Sequence, residues 1–221
     1  MNKQKRHNVM VIDDHPIVRK GLATLLAQQP DMQICCEAGS AEDALELLKR
    51  HVPDLALVDL TLTGMSGLEL LRRLSADYPA LPVLVISMHD EKIYARRALQ
   101  AGARGYIMKQ EASDTLVFAA RQILDGRIYL SENQSTCMAN GSAPTGQIQV
   151  GASMTSLTIV EFEVFQLIAE GYSINEIGLR LKRSIKTIES HRTNIRRKLG
   201  FNSSHELGHF AAQWQLEHHG F

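Results

Sequence analysis

Residues 8–13 read NVMVID and residues 54–60 read DLALVDL, two short apolar runs that each carry an aspartate at or near their C-terminal end. Their apolar character is continuous rather than alternating, as in a strand buried on both faces. The same character recurs outward from them at 33–37 (QICCE), 82–87 (PVLVIS) and 105–108 (GYIM). Helical patterns fill the intervals. The first has Pro16 in its opening turn, with Val18, Leu22, Leu25 and Leu26 on one face; the others cover about 41–51, 66–77, 90–101 and 113–126. Five βα units in series predict an α/β fold, a doubly wound five-stranded parallel sheet with right-handed crossovers.

Beyond residue 130 the pattern breaks. Residues 131–156 are rich in Ser, Gly, Asn, Gln and Thr and contain no Lys or Arg, which reads as a flexible linker. From Leu157 to about His218 the chain is helical by pattern, with Gly171 and Gly200 placed where helices could end. The expected division is therefore a domain over 1–130, the linker over 131–156, and an all-α four-helix domain over 157–221.

Formal net charge is zero, which excludes a protein coated in positive charge, but the distribution is uneven. Residues 1–130 hold 16 basic and 16 acidic side chains; residues 158–221 hold 8 and 7. Those eight all lie between Arg180 and Lys198, where Glu189 is the sole acid. Such a stripe is the footprint of phosphate-backbone binding, or else a solvated helix face. The three cysteines include the neighbours Cys35 and Cys36. Adjacent strand residues point to opposite faces, so the two are expected to be poorly placed to bridge, and all three read as reduced cysteines of a cytoplasmic protein. No apolar run reaches the ~20 residues of a membrane span. The first seven residues lead into a strand rather than the apolar segment of a signal peptide.

In an open parallel sheet the carboxyl ends of all strands share one edge, and in the order 2-1-3-4-5 the first and third strands flank the ligand crevice. That edge would gather Asp13 and Asp14, Asp59, Ser87 and Lys109. Three close carboxylates raise a pKa or bind a cation, and a hard Mg²⁺ suits an oxygen-only set. Lys109 and Ser87 suit phosphoryl oxygens. The constellation fits phosphoryl transfer to a carboxylate; the plainer alternative makes Asp13 and Asp14 helix caps and puts Asp59 in a turn.

Together VMVIDDHPIVRKGLATLL, PDLALVDLTLTGMSGLELLRRL, VLVISMHD and AGARGYIMK resemble the receiver domain of bacterial two-component response regulators, a flavodoxin-like fold, over nearly all of 8–128. The resemblance implies Asp59 as phospho-acceptor. It implies Mg²⁺ held by Asp14 directly, by Asp13 through water, by Asp59, and by the backbone carbonyl of Thr61. Ser87 and Tyr106 match the pair that rearranges on phosphorylation, and Lys109 the phosphate-contacting lysine. A sensor histidine kinase would be the donor. Thr63 stands where the family usually has proline. His89 lies where receivers tune hydrolysis, although a solvent-facing loop is its simpler reading, and His15 has no second His or Cys at metal-ligand spacing.

In the C-terminal region Thr158 and Glu161 form a Thr-x-x-Glu capping pattern ahead of Val164, Phe165 and Ile168. A short helix at about 174–181 follows, with Gly178 permitting close packing. Ser184 caps a third helix over 185–199, whose core side is Ile188, Ile195 and Leu199, with His191 half buried. Residues 157–211 are similar to the LuxR-type helix-turn-helix, which together with a receiver describes the NarL/FixJ subfamily. The resemblance implies Glu189, Ser190 and Thr193 as base readers of double-stranded DNA, and Lys186, Thr187, Arg192, Arg196 and Lys198 as phosphate contacts. It also implies dimerisation through a fourth helix at about 203–217. Val160 and Phe162 replace arginines common in the first helix of the family, and Ser204 another near the fourth, at a cost to scaffold salt bridges.

The function so implied is a phosphorylation-dependent regulator, a homodimer when phosphorylated or on DNA, with no catalysis beyond its own Asp59 chemistry. A constitutive regulator using the receiver only to dimerise is the alternative. A magnesium phosphohydrolase with an aspartate nucleophile would want a second acid where this chain has Thr61, and would leave the C-terminal helices unexplained.

Overall fold

A computed structural model describes residues 6–131 and 154–218, apart from 63, 112 and 182. The linker lies almost wholly outside the described residues, as does Thr63. The chain divides into two compact units, at 1–143 and 144–221.

The first unit alternates strictly: β1 His7–Ile12, α1 Pro16–Ala27, β2 Met32–Ala38, α2 Ala41–Leu48, β3 Leu55–Val58, α3 Gly67–Asp77, β4 Val83–Ser87, α4 Glu91–Gln100, β5 Gly105–Met108, α5 Ser113–Leu124. The sheet order is β2-β1-β3-β4-β5 and every pairing is parallel, as the sequence predicts. β3 and β4 are buried at every residue, which is why their sequences run apolar without alternation. The β2 edge is only partly covered. After α5 the chain returns along the β5 edge: Tyr129 bridges to Gly105, its N–H donates to the Arg104 carbonyl, and its own carbonyl accepts from the Tyr106 N–H at 3.2 Å. Unpaired backbone on that edge is thereby satisfied.

α1 opens at Pro16 behind His15, which makes no side-chain cap. Asp13 and Asp14 are thus not the caps of the plainer reading. Ser40, Ser66 and Asp90 cap α2, α3 and α4 through their side chains. At the start of α3 only glycine fits, because a Cβ on Gly67 would lie 2.3 Å from the Asp59 carbonyl oxygen. That approach fixes the loop behind Asp59.

The neighbouring cysteines depart from expectation. β1 pairs Val9 with Ile34 and then Met10 with Cys36, so the register slips and Cys35 is an extra residue on β2. A bulge removes the strict alternation of faces. The two sulfurs lie 3.6 Å apart instead of on opposite faces.

The second unit holds α6 Ile159–Ala169, α7 Ile174–Arg180, α8 Ile185–Leu199 and α9 Ser204–His218. Capping boxes start α6 (Thr158 with Glu161) and α7 (Ser173 with Glu176), and Ser184 caps α8. Gly178 sits under the turn, where a Cβ would meet the Arg183 carbonyl at 3.0 Å. The core is aromatic: Phe165 packs on Phe162, Phe210 and Trp214, and Phe162 meets Trp214 edge-on at 5.9 Å. Among the described residues no helix is long and apolar enough to cross a membrane.

Candidate metal centre and nucleic-acid interface

The predicted edge is formed. Asp13 and Asp59 follow β1 and β3, and the ladder continues through them: Asp59 N–H donates to the Ile12 carbonyl at 2.9 Å and Asp13 N–H to Ala38 at 3.2 Å. Both carboxylates are nearly inaccessible, at 1% and 2% exposure. Lys109, anchored by its N–H on the Ser87 carbonyl at 2.8 Å, places Nζ 2.7 Å from Asp13 Oδ2 and 2.7 Å from Asp59 Oδ2. Thr61 N–H donates to Asp59 Oδ1 at 3.2 Å. Burial raises the Asp59 carboxyl above the ordinary range; Lys109 and the Thr61 N–H oppose that rise without cancelling it. For Lys109 burial is the largest single effect and works against the charge, yet the two carboxylates outweigh it and hold the ammonium above its ordinary value.

Asp13, Asp14, His15 and Asp59 each offer one ligand atom, all within 4.8 Å of one another. Asp13 Oδ2 pairs with Lys109 Nζ and, as a carboxylate oxygen, has a further lone pair to offer a cation. Three carboxylates of this kind fit a hard, hydrated divalent cation. His15 enters the cluster unforeseen, with Nδ1 2.8 Å from Asp14 Oδ1 and 3.3 Å from Asp13 Oδ1. Its partners are carboxylates rather than a second His or Cys, so metal-ligand spacing in the sequence does not mark it. Arg19, also unforeseen, donates from Nη1 to the Asp13 carbonyl at 2.6 Å.

His89 does not face solvent as a free loop residue. It is half-buried, stacks on Tyr94 with centroids 4.4 Å apart, and brings Nε2 within 3.1 Å of Thr61 Oγ1. Its N–H donates to Ser87 Oγ at 3.2 Å, and its carbonyl accepts from the Tyr106 hydroxyl at 2.8 Å. Ser87 and Tyr106 are both fully buried, and burial pushes the Tyr106 phenol up. Tyr106 therefore already occupies an inward position, tied by its side chain to the β4–α4 loop and by its backbone to the exit segment. Two residues beyond His89, Glu91 accepts hydrogen bonds from Ser131 N–H and Oγ. Ser131, where the linker is expected to begin, is thus held by the first residue of α4, next to the loop that Tyr106 touches, a connection no pattern in the sequence signals.

Removing the ammonium tests the charge balance. In Lys109→Met, Asp13 and Asp59 lose their shared cation and repel each other, and the Asp59 pKa should rise further. A carboxyl with a raised folded-state pKa favours the folded state at low pH and loses that advantage as pH climbs from the unfolded to the folded value. Without divalent cation, the variant's Tm should fall more steeply than wild type between mildly acid and neutral pH. Parallel Tm profiles for the two proteins would refute the balance drawn here.

On α8, Lys186, Glu189, Ser190, Thr193 and Arg197 are exposed, Thr187, Arg192 and Arg196 half-exposed, and Ile188, Ile195 and Leu199 buried. One face serves the core and the other presents the cationic stripe. Ser190 and Thr193 donate back to the carbonyls of Lys186 and Glu189 at 2.9 Å each, and the Thr187 hydroxyl meets the Ser184 cap at 2.8 Å. Lys198 lies elsewhere: its Nζ is 2.6 Å from Glu161 Oε2 on α6, the residue that also completes the capping box. Phe162 is fully buried in the aromatic core.

These arrangements have close relatives. Residues 9–121 match the response regulator receiver domain, and residues 155–211 match the bacterial regulatory proteins of the luxR family. The oxygen regulatory protein NreC of Staphylococcus epidermidis is 32% identical over 213 residues, covering 94% of this chain and 98% of that protein. The transcriptional activator protein ExaE of Pseudomonas putida is 37% identical over 205 residues, covering 93% and 95%. RcsB from Salmonella enterica serovar Typhimurium, solved on promoter rprA in the presence of phosphomimetic BeF₃⁻, superposes with a TM-score of 0.74 at 26% identity, covering 94% of this chain and 99% of that one. The chain belongs to the two-component response regulators that join a receiver domain to a LuxR-type DNA-binding domain, and is a transcriptional regulator of that family.

Proposed function

We propose that Asp59 accepts a phosphoryl group from a sensor histidine kinase and that this modification controls DNA binding. The observation that carries the reading is the Lys109 ammonium set 2.7 Å from both Asp13 and Asp59. An Asp59 oxygen attacks phosphorus in line, the bond from phosphorus to the donor imidazole nitrogen breaks, and the imidazole leaves with that electron pair. Lys109 moves its charge from the carboxylates to the arriving phosphoryl oxygens, and Ser87 supplies a hydroxyl. Asp13, Asp14, Asp59 and the Thr61 carbonyl would hold Mg²⁺, which when bound neutralises phosphoryl charge. Asp59 thus undergoes its own modification and slow hydrolysis, with no other substrate turned over. A DNA-binding regulator acting in the cytoplasm is consistent with these partners.

On α8, Glu189, Ser190 and Thr193 read base edges after giving up their bonds to the helix, while Lys186, Thr187, Arg192 and Arg196 contact phosphates. Lys198 is better placed as scaffold. Dimerisation through α9, whose Leu216 is 76% exposed, supplies two half-sites and compensates for a modest charge per protomer. The domain limits follow as 1–130, 131–156 and 157–221.

The test is DNA affinity before and after treatment with acetyl phosphate and Mg²⁺, with dimerisation followed in parallel. Tighter binding and a shift to dimer are expected. Unchanged affinity on a fully modified protein would favour the constitutive alternative.

A further inference from the structure

In a straight strand Cys35 and Cys36 would point apart; the extra residue in β2 turns both thiols to one side, with sulfurs 3.6 Å apart. Bulges are rare in parallel pairs, and this one lies on the outermost strand, where both cysteines are half-exposed. Cys35 Sγ also donates to the Val9 carbonyl at 3.5 Å, which fixes its direction.

That spacing suits an inserted atom better than a direct bond. Neighbouring Cα atoms are ~3.8 Å apart, less than the ~4.4–6.8 Å of an unstrained disulfide. Two sulfurs bound at ~2.3 Å to one atom stand ~3.3 Å apart at a near-right, pyramidal angle and ~3.8 Å apart at a tetrahedral one, which brackets the observed 3.6 Å. Among the described residues no His, Asp, Glu or further Cys joins the pair in a cluster of three donors. A structural zinc site needs four protein ligands and a catalytic one three, so two thiols alone are a poor match for zinc. They do match a thiophilic element that takes two sulfurs and keeps one oxygen ligand.

We propose that Cys35 and Cys36 form a two-thiol clamp for trivalent arsenic. Arsenous acid, As(OH)₃, condenses with both thiols to give a bis-thiolate that retains one hydroxide. Two As–O bonds and two S–H bonds break, two As–S bonds form, and each thiol proton leaves with a hydroxide as water. Arsenic stays trivalent, and no oxidant takes part. Burial and the Cys35 thiol push Cys36 up to about 12, which disfavours attack of a thiolate on peroxide but leaves this condensation open.

The experiment is arsenite binding by the full-length chain, followed by intact mass and by competition with a free dithiol. Wild type should take up one arsenic. Cys35→Ser and Cys36→Ser should each bind at least about tenfold more weakly, since the second sulfur then no longer closes an intramolecular chelate. Cys137→Ser should bind as wild type does. Cys36→Ala and thermal melts of every variant separate loss of the clamp from loss of the fold. Wild-type affinity in either single variant at the clamp, arsenic held through Cys137, or no uptake by folded wild type would overturn the proposal.

Discussion

Asp59→Asn is expected to reduce phosphoryl incorporation from acetyl phosphate with Mg²⁺ from stoichiometric to none, while leaving the fold in place. The amide oxygen can take the place of Oδ1 and accept from Thr61 N–H, while the NH2 replaces the oxygen that met Lys109, whose ammonium keeps Asp13 as its partner, so the shape of the site survives. What it lacks is a charged oxygen able to attack phosphorus. Stability should change little, because the substitution also removes a carboxylate whose burial raises its pKa; a Tm shift within a few degrees is the expected scale. Intact mass spectrometry reads the first effect and a thermal melt the second. Equal incorporation by wild type and variant would remove Asp59 from its role. Loss of incorporation together with collapse of the melt would mean that the carboxylate serves the fold, which the buried ion pair makes a real competing outcome.

How much of this was open to sequence reading depended on periodicity. The strands and the helix between each pair could be read because an apolar run buried on both faces differs from an amphipathic helix. The sheet edge could then be populated with Asp13, Asp14, Asp59, Ser87 and Lys109 from topology alone, and the structure brings Lys109 into contact with Asp13 and Asp59 through its ammonium and with Ser87 through its backbone. What escaped reading arises where a side chain meets a partner distant in sequence or where alternation fails. Lys198 looked like part of the cationic stripe, yet its helical position turns it onto Glu161, 37 residues earlier. His15 lacked a nitrogen or sulfur partner and found carboxylates. Cys35 and Cys36 obeyed alternation on paper, and a single extra residue in β2 undid it. The Glu91–Ser131 contact spans 40 residues and involves types common on any surface.

The second large effect lies in the aromatic core of the C-terminal unit. Phe162 belongs to a cluster in which Phe165 touches Phe162, Phe210 and Trp214, the last edge-on at 5.3 Å. Phe165→Ala removes the centre of that cluster, and such a substitution costs about 3–5 kcal/mol. A unit of this size, described over 154–218, has a total stability of only about 3–10 kcal/mol. The variant should therefore lose much or all of the C-terminal fold, with DNA affinity falling at least about a hundredfold. Phosphoryl uptake at Asp59 should persist, because the receiver core of Val9, Val11, Leu55, Leu57 and Leu84 is a separate cluster. Calorimetry should show one transition lost or shifted down and the other retained. Unaltered DNA binding in Phe165→Ala would mean that the ion pair of Lys198 with Glu161 and the capped helix ends hold the reader together without the aromatic centre.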